Sequence, residues 1–199
     1  MSEKFDKLSL AILLGGKSTR IGREKANLKL LSETGESSFL EVIAKELTGL
    51  DDSIDEKYLS VNSKQKYSIQ GFKNVTDIVN DIGPLGGIYS VLKSSKKDFV
   101  LFVACDMPYI KKEALWHLID GWNGENLCIS RTQNGRQPLV GIYGKGCIPF
   151  IEELINKRIF RPGLLLDLVE SKVINMSDYR ECFVNINTIE DYREITDYE

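Results

Sequence analysis

The 199-residue chain carries 26 Lys and Arg against 29 Asp and Glu, a net charge of −3. That balance argues against a surface built mainly for nucleic acid, so any anion site has to be local. With 42% apolar and 28% charged residues the chain falls in the range of folded water-soluble proteins rather than disordered ones. No run approaches the ~20 apolar residues that cross a bilayer, and the opening MSEKFDKLSL lacks a basic-then-apolar signal pattern. A cytoplasmic protein with no membrane partner is expected.

In chain order, LSLAILL (8–14) is a near-continuous apolar run stopped by glycines, the mark of a strand buried on both faces. SSFLEVIAKELTGL (37–50) predicts a helix, with Ser38 three before Glu41 as a capping box. KYLSVNS (57–63) and KNVTDIV (73–79) read as short strands, and GGIYSVLKS (86–94) as a helix opening after a Gly-Pro turn. DFVLFVACDMP (98–108) is a second buried strand, ended by an Asp and a proline. A helix over 111–122 follows, then strands over 125–132 and 136–143 around an Asn-Gly turn. Amphipathic helices are predicted over 148–158 and 161–170, late strands in KVINM (172–176) and FVNIN (183–187), and a terminal helix in TIEDYREI (188–195).

No repeat, low-complexity tract or flexible linker interrupts this series. Strands alternating with helices predict a three-layer α/β/α sandwich, Rossmann-like, with a mostly parallel sheet and a mixed antiparallel part in the second half. In such sheets ligands bind beyond the carboxyl ends of the strands, where the Gly15-Gly16 loop and Cys105-Asp106 both fall.

The stretch LLGGKSTRIGREK (13–25) ends its glycine pair like a nucleoside-triphosphate loop, but the Walker pattern fails because Ala11 stands where its first glycine belongs. The dinucleotide fingerprint fails on the spacing of Gly15, Gly16 and Gly22. What remains is a basic, hydroxyl-bearing loop of Lys17, Ser18, Thr19, Arg20, Arg23 and Lys25 after a strand, either a polyanion cradle or a solvated turn. Glycines 15 and 16 let backbone N–H groups approach a ligand, while Arg20 and Lys25 offer charge-assisted bonds to phosphates.

Asp106 ends a buried strand, where a charge is costly unless it faces a cleft or holds a cation, so a metal role is preferred over a turn or cap. A lone carboxylate completed by phosphates and water suits Mg²⁺. The stretch NVTDIVNDIGPLGG holds Asp77, Asp81 and a glycine-rich helix start that receives an anion or is plain turn chemistry. If FVNIN is a strand, Asn185 and Asn187 share a face and suit a polar heterocycle; a helix cap explains Asn187 equally well. Cysteines 105, 128, 147 and 182 have no metal-type spacing and read as buried or half-buried thiols. His117 has no partner nearby in sequence and reads as a surface or core residue.

Together, LLGGKSTRIGREKANL, GPLGG, CDMPYI and NINT resemble, in order and spacing, the motifs of the molybdenum cofactor guanylyltransferases, over roughly residues 8–195. The resemblance implies one nucleotidyltransferase domain over 1–199, its N-terminal half binding nucleotide and metal and its C-terminal half facing a pterin. It implies transfer of GMP from GTP to molybdopterin with release of pyrophosphate, dependent on Mg²⁺. Further contacts would be made with other molybdenum cofactor maturation proteins and acceptor apoenzymes. By motif, Leu13, Leu14, Gly15, Gly16, Lys25, Asn62 and Asp77 would bind the nucleotide, Asp106 the metal, and Asn185 and Asn187 the pterin. Lys25, Arg20 and Asp106 would carry catalysis. Leu14, Ile21 and Glu24 depart from the usual Ala, Met and Asp, and Asp81 could exchange roles with Asp77. The rivals are CMP transfer to the same cofactor, another nucleotidyl transfer, or a non-catalytic nucleotide-binding module.

Overall fold

The computed structural model describes residues 2–14, 25–32 and 35–196. Its centre is β1 (Leu8–Leu13), buried along its whole length, paired in parallel with β6 (Phe99–Ala104) from Leu8↔Phe99 to Leu13↔Ala104. Side chains alternate across both strands. Leu8, Leu10, Ile12, Leu101 and Val103 pack into one core, and Ala11, Leu13, Val100 and Phe102 into the other. This explains the unbroken apolar runs: a strand covered on both faces has no solvent side to mark with polar residues.

The first core is closed by α2 (Phe39–Thr48) through Ile43 and Leu47 and by α4 (Lys112–Gly121) through Leu115 and Leu118. The second is closed by α3 (Pro84–Ser94) through Leu85, Ile88 and Val91 and by α5 (Ile148–Asn156) through Ile151 and Leu154. Each fully buried Leu, Ile or Phe contributes about 1.5–3 kcal/mol of transfer free energy. The predicted capping box is present, with Ser38 Oγ accepting from Glu41 N and Glu41 Oε2 accepting from Ser38 N.

The sheet adds β4 (Lys57–Val61), β5 (Lys73–Thr76), β7 (Leu127–Thr132), β8 (Gly135–Gly144) and β9 (Ser171–Asn175), in the order β5-β4-β1-β6-β8-β7-β9. The first four in that order run parallel; β8 is antiparallel to β6 and β7, and β9 is parallel to β7. This is the three-layer, mostly parallel architecture with a mixed second half. The chain steps from β1 to β4 and β5 on one side and returns to β6 on the other, so the switch in direction falls at the carboxyl ends of β1 and β6. Pro138, which cannot donate to a ladder, sits inside β8 where the register against β7 shifts between Ile129 and Ser130.

Four elements differ from expectation. FVNIN is not a strand: β6, the strand it approaches, is already bonded to β1 and β8, so no edge is left for it. Residues 161–170 form a 3₁₀ helix over Pro162–Asp167 rather than an amphipathic α-helix. An antiparallel pair, β2 (Lys29–Ser32) with β3 (Gly35–Ser38), and the short α1 (Ser2–Phe5) lack a strong periodic signal. The last helix, α6 (Ile189–Thr196), is as predicted. No helix among the described residues is long and apolar enough to cross a membrane.

At the opposite end of the sheet, Glu56 is buried and its Oε2 accepts from Ser9 Oγ at 3.0 Å, Tyr58 OH at 3.1 Å, Ser95 Oγ at 3.3 Å and Lys96 N at 3.0 Å. Burial pushes its carboxyl pKa up, but these bonds outweigh it and hold the pKa below the ordinary 4.5. The stabilisation is therefore present above the unfolded value and lost as pH falls through the lower folded one. Glu56→Ala is expected to cost about 2–4 kcal/mol at pH 7 by urea denaturation, with the gap to wild type narrowing below about pH 4.

Candidate active site

Three chemistry-bearing side chains from distant parts of the sequence meet at the carboxyl ends of β1 and β6. Lys25 opens a 3₁₀ turn over Lys25–Asn27, and its Nζ donates to Asp106 Oδ2 at 3.2 Å and to Asn187 Oδ1 at 2.8 Å. Lys25 and Asp106 are 81 positions apart and Lys25 and Asn187 are 162 apart. Their side chains are mostly enclosed, 17% and 20% exposed for the ion pair. Asp106 Oδ1 is buried and has no hydrogen-bond partner among the described residues.

Backbone pairing fixes this geometry. Leu14 N donates to Ser60 O and Cys105 N to Leu13 O, carrying the parallel ladder up to the residue before Asp106. The segment after the last 3₁₀ turn (Ser177–Phe183) crosses the strand ends, and its Ile186 N donates to Asp106 O at 2.9 Å. Leu28, Phe39 and Ile186 form a small separate core with Leu30, Ile189 and Tyr192 against it, which fastens the chain on either side of the site. Tyr192 OH donates to Lys29 O at 2.8 Å, and its ring meets Phe39 edge-on.

The choice between a cap and a binding amide at Asn187 is resolved in the structure. Thr188 caps α6: its Oγ1 accepts from Asp191 N, and Asp191 Oδ2 accepts from the Asn187 and Thr188 N–H groups, which hold the Asp191 carboxyl below its ordinary range. The Asn187 side chain is thereby left for Lys25. Asn185, by contrast, turns back, its Nδ2 donating to Phe183 O at 3.4 Å, while Val184 and Asn187 are exposed.

The residues expected on a nucleotide side spread along the strand ends. Leu13 and Leu14 are buried at the end of β1. Asp77 follows β5, its N donating to Val61 O and its Oδ1 accepting from Ser60 Oγ at 3.2 Å. Burial raises the Asp77 carboxyl pKa, only partly offset by that hydroxyl. Asp81 is exposed with φ of 63°, so Asp77 is the carboxylate built into the strand ends. Three strand spacings, about 14 Å, separate the end of β5 from that of β6. Asn62 follows β4 and its Oδ1 accepts from Lys64 N at 2.9 Å. Gly15, Gly16, Arg20 and the rest of 15–24 lie outside the described residues.

Ser60 escapes notice in the sequence because a small hydroxyl in a buried strand carries no pattern; the nearby GPLGG was the available clue. A Cβ on Gly87 would sit 2.2 Å from Ser60 Oγ and 3.1 Å from Leu13 Cδ2, and one on Gly86 would sit 2.8 Å from Val79 O. These glycines let α3 press against the strand ends, and Gly83, at φ of 66°, turns the chain into the helix.

No covalent nucleophile is poised here among the described residues. Burial, with the Asp106 charge second, pushes the Cys105 thiol up to about 12, and all four cysteines are free and buried. His117 is exposed on α4 against Asn175 O, the surface role expected of it. Nor is there a group of three or more His, Cys, Asp or Glu placed to hold a metal among the described residues. A cation here would rest on the Asp106 carboxylate, a hard ligand whose exposed part lies away from the buried Oδ1, with other ligands drawn from substrate and water.

Residues 10–166 match the family model described as MobA-like NTP transferase domain. The chain belongs to this family. It is accordingly a nucleotidyltransferase. Among its relatives is a "Probable molybdenum cofactor guanylyltransferase" of Clostridium perfringens, 36% identical, with 95% of this chain and 96% of the relative covered. The crystal structure of molybdopterin-guanine dinucleotide biosynthesis protein A from Archaeoglobus fulgidus superposes with a TM-score of 0.75 at 20% identity, covering 96% and 97% of the two chains. A 4-diphosphocytidyl-2C-methyl-D-erythritol synthase from Anaerococcus prevotii reaches 0.71 at 15% identity, covering 98% of each chain. The fold is thus shared by proteins of different names, and the base is not read from architecture.

Gly87→Ala is expected to destabilise the fold by about 1–3 kcal/mol in chemical denaturation and to push Ser60 off Asp77. An unchanged denaturation midpoint would mean that α3 is not held in this close contact.

Proposed function

We propose that this chain is a molybdenum cofactor guanylyltransferase, transferring GMP from GTP to the terminal phosphate of molybdopterin and releasing pyrophosphate. The observation that carries the proposal is the meeting of Lys25 with Asp106, a cation and a carboxylate brought by two family motifs to one strand end. The C. perfringens relative, similar over nearly the whole of both chains, supports the choice of substrates.

In the reaction an ionised phosphate oxygen of molybdopterin attacks the α-phosphorus of GTP. The bond from that phosphorus to the bridging oxygen breaks, and pyrophosphate leaves with the electron pair. A phosphate is already deprotonated at neutral pH, so no general base is needed, in keeping with the exposed His117 and the protonated thiol of Cys105. The work left to the protein is to hold two polyanions together and offset their charge. Lys25 and Arg20 would meet the triphosphate. Gly15 and Gly16 would allow its close approach, and Leu13, Leu14, Asn62 and Asp77 would line the base and ribose side. Asn187, with Asn185 behind it on Phe183 O, would be on the side of the second substrate.

Asp106 would hold Mg²⁺, which supplies charge neutralisation at the reacting phosphates when bound. One carboxylate without a supporting acidic cluster among the described residues fits a cation that keeps several waters and takes phosphate oxygens. The other maturation proteins and acceptor apoenzymes implied by the family are partners of this reading, as is a cytoplasmic setting.

Asp106→Ala is expected to lower GMP transfer at least about a thousandfold, in an assay of pyrophosphate release with GTP and molybdopterin, while leaving thermal unfolding near wild type. Retained activity with Mg²⁺ would remove Asp106 from the site. Thermal shifts with GTP, CTP, ATP and UTP are expected to favour GTP; preference for CTP would turn the reading to cytidylyl transfer.

A further inference from the structure

Lys25 and Asp106 are committed to each other. Asp106 Oδ1 is enclosed, which leaves Oδ2 as the oxygen that a cation from solvent reaches, and the Lys25 ammonium sits on it at 3.2 Å. The ammonium is not held by the carboxylate alone. Asn187 Oδ1 takes a second proton of Lys25 at 2.8 Å, and the Ile186 N to Asp106 O bond keeps that segment aligned with the carboxylate. A divalent ion and an ammonium cannot share one carboxylate oxygen without strong repulsion at such a distance. Among the described residues no group of three or more His, Cys, Asp or Glu is placed to help the ion win.

We propose that Lys25 and a divalent cation compete for Asp106, so that the site takes the metal as the chelate of a nucleoside triphosphate and not as the free ion. The chelate resolves the competition because it brings its own anions. Its phosphate oxygens give Lys25 a new partner at the moment the metal takes the carboxylate, so both positive charges remain compensated. Lys25 is thus a placeholder for the metal and a ligand of the phosphates in turn. Asn187 is a positioning residue that keeps the placeholder in register. A mismatch between metal and nucleotide loading is avoided, since neither half of the chelate has the full set of contacts by itself. This inference rests on the reading that the site binds a nucleoside triphosphate.

The test is Mn²⁺ uptake, read from the loss of the free-ion electron paramagnetic resonance signal, for wild type, Lys25→Met and Asp106→Asn, each with and without GTP. Without nucleotide, Lys25→Met is expected to bind Mn²⁺ at least about tenfold more tightly than wild type, a gain of about 1.4 kcal/mol. Asp106→Asn is expected to bind none. With GTP the order reverses, wild type holding the Mn²⁺ chelate at least about tenfold more tightly than Lys25→Met. Equal affinity of wild type and Lys25→Met for free Mn²⁺ would overturn the competition. So would half-saturation of wild type below about 0.1 mM Mn²⁺ without nucleotide, a measurement that does not depend on the folding of any variant. Failure of wild type to take up the GTP chelate would instead defeat the nucleotide reading itself.

Discussion

The parallel pairing of β1 with β6 is the constraint on which the site depends. Six consecutive register pairs lock two strands from distant parts of the chain side by side, and their carboxyl ends come out level, at Leu13 and Ala104. Whatever follows β1 and whatever follows β6 must then meet. The pairing is enforced by burial on both faces, where a one-residue slip would exchange the side chains of one core for those of the other. The position of the chemistry is therefore set by the most stable part of the molecule. The residues that perform it come from its least regular parts.

This division explains the arrangement of supports around the site. The sheet delivers Asp106 directly from a strand end, whereas Lys25 and Asn187 stand on short turns and need another anchor. The small core of Leu28, Phe39 and Ile186 supplies one: Leu28 lies three residues after Lys25, Ile186 immediately precedes Asn187, and Phe39 opens α2. The cap of α6 adds a second restraint by fixing the Asn187 backbone on Asp191. Charge is thereby placed in advance of the ligand, the condition under which electrostatic assistance costs no rearrangement of solvent.

Strand periodicity was readable because β1 and β6 are buried on both sides, and Ser38 and Glu41 announced α2 through a specific pair of hydrogen bonds. The failures have a common cause. FVNIN has the alternation of a strand, but a strand needs an edge, and whether β6 has one is a property of the whole sheet. In the same way, Asp106 could be singled out from its cost at the end of a buried run, yet its contact with Lys25 depends on strand order, which no local pattern encodes. Asp77 and Asp81 were indistinguishable in sequence. Burial against Ser60 and an exposed left-handed turn separate them.

All nine strands among the described residues lie before residue 176, yet one wall of the site is built from what comes after. A stop codon or frameshift just beyond Phe183 would spare the sheet and the two cores that cover it while removing Ile186, Asn187 and the helix that fastens them, and would leave Asp106 without a backbone partner at its carbonyl. In a genetic screen such late lesions would behave as loss of activity more than loss of protein. The residues after Phe183 would carry a functional weight out of proportion to their share of the fold.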